Sequence, residues 1–465
     1  MTTLLSNLPL EILPLILEQL AEAKPKHLLP FCLVSRAFRE LTIPYLYERI
    51  SIYSWHKGGK VVRVFETLSS CPHIARYVHQ LEIRGFPRSL SSQRTDGLME
   101  TIFLGLSNCV NLQACTWTRD GSLRDGVLRS LQSCMHLRSL TFNGRSEGVY
   151  DEKMLLNIKT LQEISVIMPS QRVLDVFLPW INTLCSLKSL TFICKSSPRV
   201  TDTFLESISL GCSRLEHLRL VGCIKITYRG VLSILSASTV GLSELSLEGL
   251  SPNFDLAAFV ERCRASNALR RLKAITLTLN QQRELEETTE NIVSLVADVP
   301  LERFQIYSVG AVVEAPLTQT FWARILDHHA ARLTRLSVHR MLISLDVIED
   351  ICLRCDNLDQ LFVVVEPEHL DQLALGLASA RKLRALHINF PLEAQTDEPP
   401  VISPTKALSI VNHCSSTLTQ FGCNTRVWQV EREVTVDAEG TLVVSRHLRP
   451  YNSPDIPEQF LVVHT

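Results

Sequence analysis

The sequence predicts an α/β solenoid, an array of strand–helix units that grows by addition, preceded by a small head of three helices. Three observations predict it. A six-residue unit, apolar-x-x-apolar-x-apolar, recurs thirteen times at near-regular spacing. Short segments of helical period lie between the recurrences. The first fifty residues follow a different pattern, helical throughout.

The head comes first. Leu8-Pro9-Leu10-Glu11 opens a helix, with Pro9 near the first turn, where its missing N–H costs little. On a helical wheel Leu10, Leu13, Leu17 and Leu20 form one stripe, and Ile12, Leu15 and Ile16 widen it past half the circumference. A helix facing a single core needs a stripe of only about 100°. The excess implies a second apolar contact. Pro14 should tighten or kink this first helix. A second helical stretch covers Leu28 to Val34. Ser35 is placed to cap a third, running through Phe38 and Leu41 to about Ile43, where Pro44 is expected to stop it. Three short helices bury too little surface to stand alone, so the head should lean on the body, on a partner, or on both.

The repeating body follows. Its units begin at Val78, Leu112, Leu137, Leu161, Leu187, Leu215, Leu242, Leu272, Leu301, Leu333, Leu358, Leu383 and Leu418, separated by 24 to 35 residues. One match means little in an apolar-rich chain. Thirteen at near-regular spacing match the period of leucine-rich repeats. After Leu220, Gly222-Cys223 reads as a turn and Gly230 to Leu235 as a short amphipathic helix. Similar helices are expected at Phe204 to Leu210, Leu256 to Cys263, Ile292 to Val296, Phe321 to Leu326 and Val347 to Leu353. Residues 391–405 read as an inserted loop. Beyond Cys423 the pattern ends, and Val427 to Val436 with Leu442 to Arg446 resemble two strands. The domains expected are therefore residues 1–50 as the head, 51–77 as a linker and N-terminal cap, 78–423 as repeats, and 424–465 as a C-terminal cap over the exposed last layer.

Composition narrows the function. The chain has 465 residues, 47 Lys plus Arg against 48 Asp plus Glu, and 46% apolar residues. That balance offers no global attraction to nucleic acid or an anionic membrane surface. Met1 to Leu20 lacks the basic start of a signal peptide, no Asn-x-Ser/Thr site occurs, and no apolar run is long enough to span a bilayer. The fourteen cysteines are accordingly read as small buried hydrophobes in a reducing compartment, cytosol or nucleus. Cys352-Leu353-Arg354-Cys355 has no second pair to complete a zinc site and is assigned to core packing. His328-His329, His73 and His79 join no ligand spacing and read as solvated or capping. The acidic run Arg283 to Glu287 with Glu290 reads as a solvated helix face. Phosphate-cradling loops, nucleophile elbows and His-Glu-x-x-His are absent from the sequence. The expectation is a protein that is not an enzyme, with no catalytic residues, no cofactor and no metal.

Two sets of residues resemble a known group, F-box proteins with leucine-rich repeats, of the kind abundant in fungi. Leu8-Pro9-Leu10-Glu11-Ile12-Leu13 matches the F-box opening, and Cys32-Leu33-Val34-Ser35-Arg36-Ala37-Phe38-Arg39 its second signature. Leu46-Tyr47-Glu48-Arg49-Ile50 stands where the family often has Leu-Trp, with Phe38 and Tyr47 replacing commoner tryptophans. The run from Cys212 to Val231 resembles the cysteine-containing repeat subtype, with Tyr228 in place of Asp, and Cys109, Cys134 and Cys355 take the place of Cys212 in their repeats. The resemblance implies a horseshoe of leucine-rich repeats behind a three-helix F-box-like head. It implies a substrate receptor of an SCF-type ubiquitin ligase, bound through a Skp-type adaptor to the cullin-based ligase core. Such a receptor makes and breaks no bonds; it raises the local concentration of a target lysine.

On that reading the adaptor contacts are Leu8, Pro9, Glu11, Ile12, Leu15, Ile16, Leu33, Val34, Arg36 and Phe38. The substrate, a protein of unknown identity, is expected on the concave strand face, where alternation turns His217, Arg219, Arg303, Tyr307, Arg335, Phe362 and His387 toward solvent. This surface is mixed and polar, with a few aromatics, and suits protein better than nucleic acid or lipid. The rival expectation is a repeat scaffold whose head takes no part in ubiquitin transfer. Accessible apolar surface on the head distinguishes the two.

Overall fold

The computed structural model describes residues 11–23, 28–53, 59–85, 92–279, 285–308, 317–391, 401–436 and 442–451. The chain forms two compact units that divide between Leu215 and Glu216.

The first unit opens with three helices, α1 (Leu13–Ala23), α2 (Leu28–Phe31) and α3 (Arg36–Glu48). Pro14 falls in the first turn of α1, and its carbonyl accepts a hydrogen bond from Tyr45 Oη at 3.2 Å. Ser35 caps α3, its Oγ accepting from the Phe38 N–H at 3.2 Å. Pro44 does not stop α3, which runs on to Glu48. The bond it removes is the one to the Glu40 carbonyl, and Glu40 is exposed, so water is at hand to replace it.

Then comes a strand that the periodicity assigned to the head and to a linker: β1 (Arg49–Ile52). Tyr47-x-x-Ile50-x-Ile52 carries the repeat pattern, so the ladder starts one unit earlier than Val78. Helices α4 (Gly59–Ser70) and α5 (Pro72–Ala75) return the chain to β2 (Gln80–Ile83). Helix α6 (Ser92–Asn108) leads to β3 (Ala114–Trp117), and α7 (Asp125–Gln132) to β4 (Ser139–Asn143). A 3₁₀ turn at Glu152–Asn157 takes the helix position before β5 (Glu163–Ile167). Then α8 (Gln171–Ile181), β6 (Ser189–Ile193) and α9 (Asp202–Ile208) complete the unit. All neighbouring strands from β1 to β6 are parallel.

The second unit continues the same construction with β7 (His217–Val221), α10 (Tyr228–Ala237), β8 (Glu244–Glu248), α11 (Leu256–Ser266), β9 (Ala274–Leu279) and α12 (Leu285–Val296). It goes on through β10 (Arg303–Ser308), α13 (Gln319–His329), β11 (Arg335–His339), α14 (Leu345–Arg354) and β12 (Gln360–Val364). Helix α15 (Leu370–Leu377), β13 (Ala385–Asn389), α16 (Pro404–His413) and β14 (Gln420–Cys423) end the repeats. Strands β7 to β14 are parallel in order. A strand at each of the thirteen expected positions makes both units α/β solenoids of the leucine-rich type. Of the loop expected at 391–405, residues 392–400 lie outside the described residues, and α16 already begins at Pro404.

Register explains why leucine recurs. Leu218, Leu245, Ile275, Phe304, Leu336, Leu361, Leu386 and Phe421 are aligned across successive strands and all buried. Each such side chain, shielded by the strands beside it and the helices behind, contributes roughly 1.5–3 kcal/mol. Helix starts are set locally: the side-chain oxygens of Ser170, Thr201, Asp255, Thr318 and Ser403 each accept from a backbone N–H three residues on. Gly222, at a φ of 64°, makes the turn after β7 that suits glycine. The last layer is covered by an antiparallel hairpin, β15 (Arg426–Val436) and β16 (Leu442–Pro450). Trp428 stacks on Phe421 with ring centroids 5.8 Å apart, and the Arg446 guanidinium donates to the Val411 and Cys414 carbonyls at the end of α16.

Eleven of the fourteen cysteines are buried. Cys109 and Cys134, at equivalent repeat positions, donate back to the Gly105 and Ser130 carbonyls. Cys352 and Cys355 are both inside, and burial pushes each thiol up to about 12.

Candidate protein-docking surfaces

The head separates its apolar residues into two sets. Leu13, Leu17 and Leu28 point inward and are at most 4% exposed. The residues that overfill the stripe do not follow them. Leu33 is 88% exposed, Leu15 62%, Val34 57%, and Ile12 and Ile16 are exposed as well. Leu29, which sequence reasoning did not single out, joins them at 54%. Its signal was the doublet Leu28-Leu29: on a short helix one leucine of such a pair must face away from the core. Glu11 and Arg36 are exposed and supply charge at the edges, while Phe38 is half-buried against Phe31, ring centroids 6.0 Å apart. Leu8 and Pro9 lie outside the described residues. The arrangement leaves an apolar surface on α1, α2 and the turn after α2, with no structural duty inside the head.

The second surface is the sheet face of β7 to β14 turned away from the helices. Here the structure corrects the expectation of solvent-facing side chains. Tyr307, Phe362 and His387 are buried, as is His339, at 5, 3, 1 and 6% exposure. Their rings meet from strand to strand, stacked from Tyr307 through His339 to Phe362 and tilted between Phe362 and His387. Tyr307 lies 4.6 Å from His339 at 12°, His339 lies 6.1 Å from Phe362, and Phe362 lies 6.2 Å from His387. Tyr307 is in register with His339 and Phe362 with His387, on parallel strands about 4.8 Å apart, while Phe362 stands opposite Ser337 and meets His339 diagonally. The stack ends in a notch. His387 is in register with Gly422, and a Cβ on Gly422 would come 1.9 Å from His387 Nδ1. The ring occupies the space that glycine leaves. His387 Nε2 is 3.1 Å from Asn389 Oδ1.

Burial holds the His339 imidazole down at about 3 and His387 at about 4, so both stay neutral. It raises the Tyr307 phenol, with the Glu248 carboxylate adding to the effect. His329, at the end of α13, is buried and held down to about 4, whereas its neighbour His328 is exposed. The reading of that pair as solvated or capping therefore holds for His328 and not for His329.

The other expected residues of this face remain accessible. Arg303 is exposed and ion-paired with Glu244. Arg219 and His217 are half-buried, and Arg219 Nη2 lies 3.0 Å from Glu248. Arg335 is half-buried over the Phe362 ring, its guanidinium carbon 4.9 Å from the centroid.

The F-box-like family profile matches residues 5–53, and this segment is an F-box-like domain that takes in the three helices and β1. No curated protein matches the chain. Among solved structures the chain resembles one from the Rad7 and Elc1 complex in yeast, with 12% identity over 78% of this chain and 85% of that one and a TM-score of 0.47. It also resembles the leucine-rich repeat-containing protein LegL7 from Legionella pneumophila, with 13% identity, 65% and 89% coverage, and a TM-score of 0.37. A third is TLR13 in complex with ssRNA13, with 11% identity, 77% and 69% coverage, and a TM-score of 0.33. No described helix is long and apolar enough to cross a membrane.

Proposed function

We propose that this protein is the substrate receptor of an SCF-type ubiquitin ligase, working in the cytosol or nucleus. The F-box-like domain binds a Skp-type adaptor and through it the cullin-based core, and the repeats hold a protein substrate. One observation carries the reading: the head folds with Leu13, Leu17 and Leu28 inside and keeps Leu15, Leu29, Leu33 and Val34 outside. A head that served only the adjoining repeats would not need that second apolar set. Covering one such leucine with a partner is worth up to roughly 1.5–3 kcal/mol, and a cluster near the centre of an interface dominates its affinity. The receptor contributes no bond chemistry of its own; the F-box-like domain fixes one end of the assembly and the repeats position the substrate's lysines.

The test is co-purification of the full chain with a Skp-type adaptor and cullin. Stoichiometric capture supports the receptor. A chain that folds, binds other proteins through its repeats and takes up no adaptor is the scaffold of the rival reading.

A further inference from the structure

The closing hairpin outruns the repeat it covers. Strand β15 pairs with β14 only from Arg426 to Gln429, and the Val430 N–H makes one more bond, to the Thr419 carbonyl at 2.8 Å. Its pairing with β16 continues to Val436 and Leu442. Among the described residues, no further strand flanks this outer half of the hairpin on either edge.

The two faces of the overhang differ. Directly opposed residues of an antiparallel pair share a face, so Val430, Val434 and Val436 lie on one side with Leu448, Val444 and Leu442. Close to the repeats this face is in use: Val430 is buried, Trp428 stacks on Phe421, and Arg446 donates to the carbonyls at the end of α16. Farther out it is bare. Val434, Val436, Leu442 and Val444 are 59, 65, 69 and 58% exposed. The opposite face carries polar pairs, Glu433 at 3.2 Å from His447 and Glu431 at 3.6 Å from Arg449. Aliphatic side chains on one side and ion pairs on the other are the pattern of an antiparallel sheet with one covered face.

Size decides what covers it. The four side chains offer on the order of 300 Å² of apolar surface. A stable pair of separate chains buries about 800 Å² on each partner. The patch is too small for a second copy but large enough for a tethered segment, whose effective concentration is about millimolar. Such a segment follows β16 directly. Residues 452–465 lie outside the described residues, and their sequence contains one run of four apolar residues, Phe460-Leu461-Val462-Val463. Pro454 and Pro457 lack the N–H that a ladder needs, which sets this run apart from β16. The reach suffices. Val444 stands seven residues back along β16 from Tyr451, about 23 Å. Phe460 is nine residues beyond Tyr451, and nine residues can span about 30 Å.

We propose that Phe460 to Val463 packs across Val434, Val436, Leu442 and Val444 as a strap that closes this face to other chains. Displacing the strap bares an apolar strip beside an open strand edge, where another chain can add a strand.

The test is chymotrypsin cleavage of the native full chain, with the bonds after Phe460 and Leu461 followed by mass spectrometry. Fluorescence of 8-anilinonaphthalene-1-sulfonate, which reports exposed apolar surface, and light scattering accompany it. In the unaltered chain those bonds should be cut slowly, and the chain should be monomeric. Val436→Asp with Leu442→Asp should speed cleavage at least tenfold at unchanged circular dichroism, because neither side chain belongs to the core of the repeats. Phe460→Asp with Leu461→Asp should raise the dye fluorescence, and adding the two hairpin substitutions should cancel the rise. Equal cleavage rates in the unaltered chain and the hairpin variant would overturn the proposal, as would dye fluorescence that ignores the strap substitutions. A chain that dimerises, and becomes monomeric with Val436→Asp and Leu442→Asp, would overturn it too, since a second copy then occupies the face.

Discussion

Acid should loosen the second unit, and the size of the effect follows from three buried imidazoles. His329, His339 and His387 are held down to about 4, about 3 and about 4, against an ordinary value near 6.5. A histidine depressed in the folded state stays neutral there while the unfolded chain takes up its proton below about pH 6.5. The unfolded state therefore binds more protons, and stability falls as pH falls, continuing until the folded-state values near 3 to 4 are reached. Between pH 7.5 and 5.5 each group removes about 1.3 kcal/mol, or about 4 kcal/mol for the three together. That is a large part of the roughly 5–15 kcal/mol available to a folded domain. Urea midpoints by circular dichroism at half-unit pH steps measure it. His339→Phe keeps a ring between Tyr307 and Phe362 and deletes one titration, so it should flatten the pH slope by about a third. An identical slope in that variant, or a midpoint that stays level down to pH 5.5, would refute the reasoning.

Three further outcomes are expected. Leu15→Asp with Leu33→Asp should reduce adaptor capture at least a hundredfold in a pull-down while the thermal midpoint of the chain stays nearly level, because both side chains stand in solvent. Gly422→Ala should cost about 1–3 kcal/mol by overpacking against His387. His387→Ala should relieve that clash, so a double-mutant cycle in urea that came out additive would show that the ring does not fill the glycine's space. Brief alkylation of the native chain followed by mass spectrometry should label exposed Cys185 first and leave Cys109, Cys212, Cys352 and Cys355 unlabelled until denaturant is added; equal labelling would count against their packing role.

Periodicity was enough to place thirteen strands and the helices of α9 to α14, because a repeat must present the same apolar positions to the same neighbours each time. It was also enough to identify the surplus of apolar residues in the head, since one stripe of a helix faces one core and Ile12, Leu15 and Ile16 lie beyond it. Other features belonged to the tertiary structure. Strand β1 was hidden because Tyr47 to Ile52 satisfies the head and repeat patterns equally, and only pairing with β2 assigns it to the ladder. Helix α3 passes Pro44 where the residue whose carbonyl loses its partner, Glu40, is exposed, which depends on packing and not on the proline. The burial of Tyr307, Phe362 and His387 is the clearest case. Alternation along one strand says which face a side chain takes, but how much solvent reaches it depends on what lies in register on the next strand. Gly422 beneath His387, and Ala274 between Arg303 and Glu244, are separated from those partners by about thirty residues or more of sequence, and only the stacking of strands about 4.8 Å apart brings them together.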